Sequence, residues 1–372
     1  MTALKTIDSQ LSDAKTIIRQ QHTKLRMAEK ELKATQKHND TTAKIRQEIY
    51  DLAAETPSPP KWILKQGDPK LPGVPMAILS DLHWGEMVRA DQVGGVNEYN
   101  RKIAKVRLKR WLTTLLDLTL HHMVKPDYPG IVLMLGGDII TGRIHEELRE
   151  TNDGPIQVSL LEVQEQLIAV IEVLADKFGK VFIPCVVGNH ARETERPRFK
   201  NTVYLNYEWN LYCQLESHLK GDPRVQFFIP TETDAYFTVL GRRFLLTHGD
   251  NLGVAGGDGI IGALGPIARG TIKVGRSEAQ LPRPFDTLVM GQWHTYIGHN
   301  DATQAIVNGC MIGYNEYARL KLRVPYTRPT QALWFVHKKY GITASWPIYL
   351  DKLRKASDNS DWVTWQKQRA TI

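Results

Sequence analysis

The sequence predicts an α/β fold preceded by a helical coiled-coil extension, and three observations carry that prediction. Five apolar runs of strand length each stop at a Gly or a polar residue of metal-ligating type, at Asp81-Leu82-His83, Gly137-Asp138, Gly188-Asn189-His190, Thr247-His248-Gly249 and Gly291-Gln292-Trp293-His294. Such runs read as buried strands that feed loops at one edge of a sheet. Between the first three lie helix-length amphipathic segments, and strand-helix-strand alternation implies right-handed crossovers and a largely parallel inner sheet. Ahead of all of them, apolar residues recur every seven positions at Leu4, Leu11, Ile18, Leu25 and Leu32, the seam of a coiled coil.

In chain order, residues 1–54 form that seam, with Ile7, Ala14, Gln21, Ala28 and Thr35 three positions later and no Gly or Pro before Pro57. The helix can lie on the body of the protein, grip DNA or associate with a second copy; self-association is preferred, and the weak second seam position argues against a tight zipper. Pro57, Pro59 and Pro60 end it, so 55–74 reads as a semi-rigid linker. The main domain spans 75–350. Within it, helices are expected over 97–122 and 155–178 and from the 192–200 loop to about 219. Strands are expected over 225–229, 235–240, 242–247, 305–311, 331–336 and 341–346. The second half therefore reads as more antiparallel than the first, and two layers of sheet are expected. A glycine-rich stretch, Gly257-Asp258-Gly259-Ile260-Ile261-Gly262, does not sit at the turn directly after a strand, so it is a rim loop and not a dinucleotide fingerprint. Residues 351–372 form a polar tail.

Composition narrows the class. The 372 residues suffice for a full core, and the formal net charge of +8 favours a polyanionic partner. Cys185, Cys213 and Cys310 are far apart and set among apolar residues, which disfavours a disulfide framework. No apolar run approaches the roughly 20 residues of a membrane span, and residues 1–20 lack a signal-peptide core. The expectation is a cytoplasmic protein of a bacterium or a phage-infected host, without a membrane partner.

Alone, an Asp-x-His or a Gly-Asp is weak. Five strands delivering Asp81, His83, Asp138, Asn189, His190, His248 and His294 to one edge is more than packing requires, because buried carboxylates and imidazoles must be paired or metal-bound. These motifs resemble the calcineurin-like metallophosphoesterase superfamily, whose pattern is D-x-H, G-D, G-N-H, H and G-H-x-H. The resemblance implies a four-layered α/β/β/α sandwich with two divalent metal ions. One would be held by Asp81, His83 and His294 and the other by Asn189 and His248, with Asp138 bridging; His190 would stand beside the leaving oxygen. Mixed oxygen and nitrogen donors suit manganese, iron or zinc better than calcium; the resemblance to the family's nucleases implies manganese, with magnesium, iron or zinc as alternatives. The last motif departs from the family: Gln292 stands where its first histidine is expected. Three arrangements remain open. Gln292 ligates weakly through its carbonyl, His299 takes the place, or the second site is loose and fills with substrate. The first is preferred because His299 lies five residues past the expected strand end.

The core motifs do not separate the superfamily's branches. Basic clusters at 101–110, 192–200, 269–276 and 319–328 suit a nucleic-acid backbone, and Arg192, Arg196, Arg198, Lys200, Arg269 and Lys273 are the candidate phosphate contacts. The leading expectation is a metal-dependent DNA nuclease, similar to SbcD-type repair nucleases and their bacteriophage relatives, that self-associates through its amino-terminal helix. Those nucleases commonly work with an ATPase, and no ATPase module occurs here. A phosphomonoesterase or small-molecule phosphodiesterase and a nucleic-acid-binding scaffold are the alternatives.

Overall fold

The computed structural model describes residues 73–123, 126–144, 146–254, 262–281, 283–300 and 304–352, together with helical positions 21–22, 25–27, 29–30 and 33. The coiled-coil seam as a whole, the linker through residue 72, the glycine-rich loop at 255–261 and the tail beyond 352 lie outside the described residues. The chain divides into two compact units, 1–56 with 280–283 and 57–279 with 284–372, and the second contains all five motif segments. Among the described residues no helix is long and apolar enough to cross a membrane.

Alternation along the strands builds the layers. In β1 (Val74–Leu79), Ala77 and Leu79 face one hydrophobic cluster while Val74, Met76 and Ile78 face another. In β2 (Ile131–Leu135), Ile131, Leu133 and Leu135 join the first cluster, and Val132 and Met134 the second. Successive side chains of a strand point to opposite faces, so this sheet is covered on both sides. Its outer cover is α1 (Arg101–Leu120), α3 (Ile156–Phe178) and α4 (Tyr207–Leu219), through Leu108, Trp111, Leu167, Ile171, Leu211 and Leu215. Its inner cover is a second sheet, which sends Phe237, Phe244 and Val289 into the shared cluster. The far face of that second sheet, Leu245, Leu288 and Met290, packs with Ile267 of α5 (Leu264–Gln280). The result is the expected four-layered α/β/β/α sandwich.

The first sheet has the order β11-β10-β1-β2-β3-β4. β3 (Val181–Pro184) and β4 (Val225–Phe228) continue the parallel run, while β10 (Thr330–His337) and β11 (Gly341–Tyr349) close it antiparallel. The second sheet has the order β5-β6-β7-β9-β8, formed by β5 (Asp234–Val239), β6 (Arg242–Thr247), β7 (Thr287–Met290), β8 (Ile297–Asn300) and β9 (Gln304–Val307). The expected antiparallel character holds only at its edges, because β6, β7 and β9 are parallel. The crossover helix α5 makes the β6–β7 pair parallel.

Two elements stop short of their expected lengths because polar side chains are claimed elsewhere. Helix α1 begins at Arg101, not 97: Asn100 is its cap, accepting from the Ile103 amide at 3.0 Å, and the Asn97 amide donates to the Ile312 and Tyr314 carbonyls at 2.9 and 2.7 Å. Strand β9 ends at Val307 because Asn308 turns to bind beneath the site. The short helix α2 (Glu146–Thr151) and strand β8 were not expected. The arginines of α1 are turned inward or paired. The buried Arg107 guanidinium donates to the Met311 and Ile312 carbonyls at 2.8 and 2.7 Å, Arg101 pairs with Asp153 and Glu162, and Arg110 donates to the Leu350 carbonyl at 3.1 Å. Lys102 and Lys109 stay exposed.

Candidate metal centre

All five motif segments follow the carboxyl ends of parallel strands: β1, β2 and β3 of one sheet, β6 and β7 of the other. This is the edge at which open α/β sheets bind ligands. The backbone there is bent to a form that ordinary residues avoid. Of the eight non-glycine residues with positive φ among the described residues, five are Asp81, His83, Asp138, Gln292 and His294, at 53, 50, 51, 67 and 53°. Strain of this kind persists only where surrounding contacts over-determine it. Gly188 is required for a different reason, since a side chain there would strike the Asp138 amide and carboxylate.

Asp138 lies at the centre. Its Oδ1 accepts from the His190 amide at 2.8 Å, and its Oδ2 lies 3.1 Å from His248 Nε2 and 4.0 Å from His83 Nε2. On one flank Asp81 Oδ1 accepts from the Gln292 amide at 2.9 Å and lies 3.3 Å from His294 Nε2, and the Ser80 hydroxyl donates to Oδ2. His83 Nε2 and His294 Nε2 approach to 3.1 Å, a spacing also adopted by two imidazoles on adjacent corners of a metal shell with ligand distances of about 2.1 Å. Three sets, Asp81 with His83 and His294, His83 with Asp138 and His190, and Asp81 with Asp138 and His248, each bring one donor atom per residue within 4.8 Å of the others. On the opposite flank stand Asn189, His248 and Gln292. The His248 Nδ1 lies 2.8 Å from the Gly136 carbonyl, which places a proton there and turns Nε2 toward Asp138; burial pulls the imidazole down, but Asp138 outweighs it and holds the group well above its ordinary value.

Buried donors without partners test whether a cation fits. Asn189 Oδ1 and Gln292 Oε1 are both buried and accept no hydrogen bond among the described residues. Each such orphan costs about 1–3 kcal/mol, and a divalent ion supplies what both lack. The electrostatics agree with a cation-seeking cleft. Burial pushes the Asp138 carboxyl up, but His248 and His190 outweigh it and hold the group well below the usual range. Burial and the neighbouring His190 and His294 hold His83 neutral, well below its ordinary value.

Residues that the motifs did not reveal hold these donors in place. Glu208, fully buried at the start of α4, accepts from the Ile139 amide at 2.6 Å and the Gly188 amide at 2.7 Å, joining the Asp138 and Asn189 loops. Burial, with Asp138 nearby, pushes its carboxyl up to about 8. Beneath Asp81, Asn308 donates to Ser80 Oγ and Gln331 Oε1, both at 2.8 Å, and accepts from the Ala332 amide at 2.8 Å. Glu86 Oε2 stands 3.7 Å from His83 Nδ1, and burial pushes its carboxyl up to about 7. None of these residues ends an apolar run with a motif, though the Asn206-x-Glu208 helix start is a visible signal.

The candidate phosphate contacts fall into two groups. Arg192 is used internally, donating to the carbonyls of Asn189, Thr194 and Glu195 at 3.0, 2.9 and 3.0 Å. Arg196, Arg198, Lys200, Arg269 and Lys273 stand at the surface, the Lys273 ammonium donating to the Gly253 carbonyl at 2.6 Å.

No family model and no curated protein match the chain. Solved structures with distant likeness include vacuolar protein sorting 29 from Cryptosporidium parvum, 11% identical over 74% of this chain and 98% of that one at a TM-score of 0.31. A dimetal phosphatase from Danio rerio is 11% identical over 76% of this chain and all of that one (100%), at a TM-score of 0.36. The phosphopantetheinyl hydrolase of Mycobacterium tuberculosis is 12% identical over 67% of this chain and 93% of that one, at 0.27.

Proposed function

We propose that this chain is a metal-dependent phosphodiester hydrolase of the calcineurin-like type, and that its substrate is DNA. Asp81, His83 and His294 would hold one divalent ion and Asn189, His248 and Gln292 the other, with Asp138 available to both. Manganese is the ion best matched to this mixture of carboxylate, amide and imidazole. The observation that carries the reading is the pair of buried, unpartnered oxygens Asn189 Oδ1 and Gln292 Oε1, set with the His248 Nε2 around Asp138. Support for a nucleic-acid substrate comes from the net charge of +8 and the surface cations of 196–200 and of α5.

Bound divalent ions would supply Lewis-acid neutralisation of phosphoryl oxygens and acidification of water. The chain's own residues do the rest. The His190 Nδ1 lies 3.2 Å from the Thr141 carbonyl and its ring stands edge-on to His83, with centroids 4.6 Å apart. With the Nδ1 proton committed to Thr141, protonated Nε2 can donate to the departing oxygen. Asp138 fixes the same residue through the His190 amide, so the proton donor and the donor sets share one rigid frame. The residues before 55 are proposed to associate with a second copy, which sedimentation of the full chain against a chain starting at residue 55 would show.

The test is cleavage of end-labelled DNA by the full chain with manganese, magnesium or EDTA, beside Asp138→Asn. The expected result is manganese-dependent cleavage that the variant loses. Intact DNA with hydrolysis of an aryl phosphodiester would give a small-molecule esterase instead, and DNA binding without turnover in any metal would give a scaffold.

A further inference from the structure

Among the large apolar side chains at the surface of the described residues, Phe199 is the most exposed, at 94%. It sits at the tip of the 193–205 loop in the run Arg196-Pro197-Arg198-Phe199-Lys200, which carries three cations and no acid. Arg196, Arg198 and Lys200 are exposed and have no ion pair among the described residues; the acid nearest the run, Glu195, is paired with Arg149 at 2.7 Å.

The base of this loop is tied to the candidate site. Arg192 bridges to Asn206, the Glu193 amide donates to the Leu205 carbonyl at 3.0 Å, and the Tyr207 amide donates to the Ala191 carbonyl at 3.0 Å. The Arg192 guanidinium grips the Asn189 carbonyl, while the Asn206 side-chain amide donates to the Gly188 carbonyl at 2.7 Å. A closed surface loop of this type is frequently functional. About seven residues separate base from tip, a reach of at most about 25 Å, so a strand of several nucleotides is long enough to run from the tip to the base that grips Asn189 and Gly188.

We infer that the 193–205 loop is a single-strand clamp, in which Phe199 stacks on an unpaired base and Arg196, Arg198 and Lys200 hold the flanking phosphates. An aromatic face among cations is the chemistry by which single strands are bound without sequence preference. A duplex keeps its bases stacked on each other and offers Phe199 no open face, so the loop selects single-stranded or frayed DNA. The inference rests on the nucleic-acid reading of the site and names the strand state of its substrate.

The experiment uses the full chain with manganese, one oligonucleotide and its blunt duplex. Phe199→Ala raises KM for the single strand about tenfold with kcat within about twofold, and Phe199→Trp restores it. Arg198→Ala lowers the slope of log affinity against log salt by about 0.7. Binding is followed in parallel by anisotropy of the labelled single strand on Asp138→Asn protein, with and without Phe199→Ala. Cleavage that is indifferent to Phe199, or a loss of kcat that Phe199→Trp does not rescue, overturns the clamp and leaves the nuclease standing. No cleavage of either DNA, with Phe199-dependent binding of the single strand, upholds the clamp and sinks the nuclease. Neither cleavage nor binding sinks both.

Discussion

The two flanks of Asp138 differ in how complete they are. On the Asp81 side every charged oxygen already has a partner: Asp81 is held by the Gln292 amide, by the Ser80 hydroxyl and by His294. On the Asn189 side Asn189 Oδ1 and Gln292 Oε1 have none, and His248 Nε2 faces only Asp138, at 3.1 Å. The side-chain oxygens of the first flank are satisfied within the chain, whereas the amide oxygens of the second are not. The donors also differ in charge, since the second flank has only neutral ligands and depends on Asp138 for its one negative charge. On the proposed reading two ions bound here would be unequal, the second weaker and more dependent on substrate oxygens. Gln292 would be the origin of the difference, because an amide carbonyl is a poorer transition-metal donor than the imidazole that the resemblance implies at that position.

The inequality is lost most completely at the residue common to both flanks. Asp138→Asn removes the shared charge, and kcat on any phosphodiester falls by about a thousandfold or more, as steady-state kinetics would show. Below the complete flank, Asn308→Ala strips partners from Ser80, Gln331 and the Ala332 amide. It destabilises by about 2–4 kcal/mol in urea unfolding, and a neutral result would mean that the Asp81 flank does not depend on that network. At the incomplete flank, Gln292→His tightens the weaker ion about tenfold by calorimetric titration. No change would remove Gln292 from the ligands.

The smallest effect contrasts a buried carboxylate with a half-buried one. Asp138 is driven down by imidazoles, whereas burial, reinforced by Glu278 and Glu232, pushes Asp234 up to about 6. A raised acid binds its proton more tightly when folded, so Asp234 contributes stability below about pH 4 that is lost as pH rises through about 6. Asp234→Asn therefore stabilises by about 1 kcal/mol at pH 7.5 and by little at pH 4, read from unfolding at both values.

The parts of the site readable in the sequence are those where an apolar run meets a polar stop. Asp81, Asp138, Asn189, His248 and His294 stand out because packing alone gives no reason to end five buried strands on ligand-type residues. In the second sheet the edge strand β8, four residues long, does not stand out, nor does the parallel pairing of β6 with β7, whose crossover comes after a glycine-rich stretch without a clean period. The basic face of α1 misleads for a physical reason: an Arg such as Arg107 is worth burying where four backbone and side-chain oxygens await it, and those acceptors come from residues more than two hundred positions away or from an irregular loop. Asn308 and Gln331 are invisible for a related reason. Most of their partners are backbone atoms, which leave no mark in composition or spacing.

If two unequal cation sites are joined by Asp138, titration of manganese into the metal-free full chain shows it most directly. The expected result is two binding events of different affinity, with Asn189→Ala and His248→Ala erasing only the weaker one. A single event that those variants leave unchanged would contradict the two-site centre.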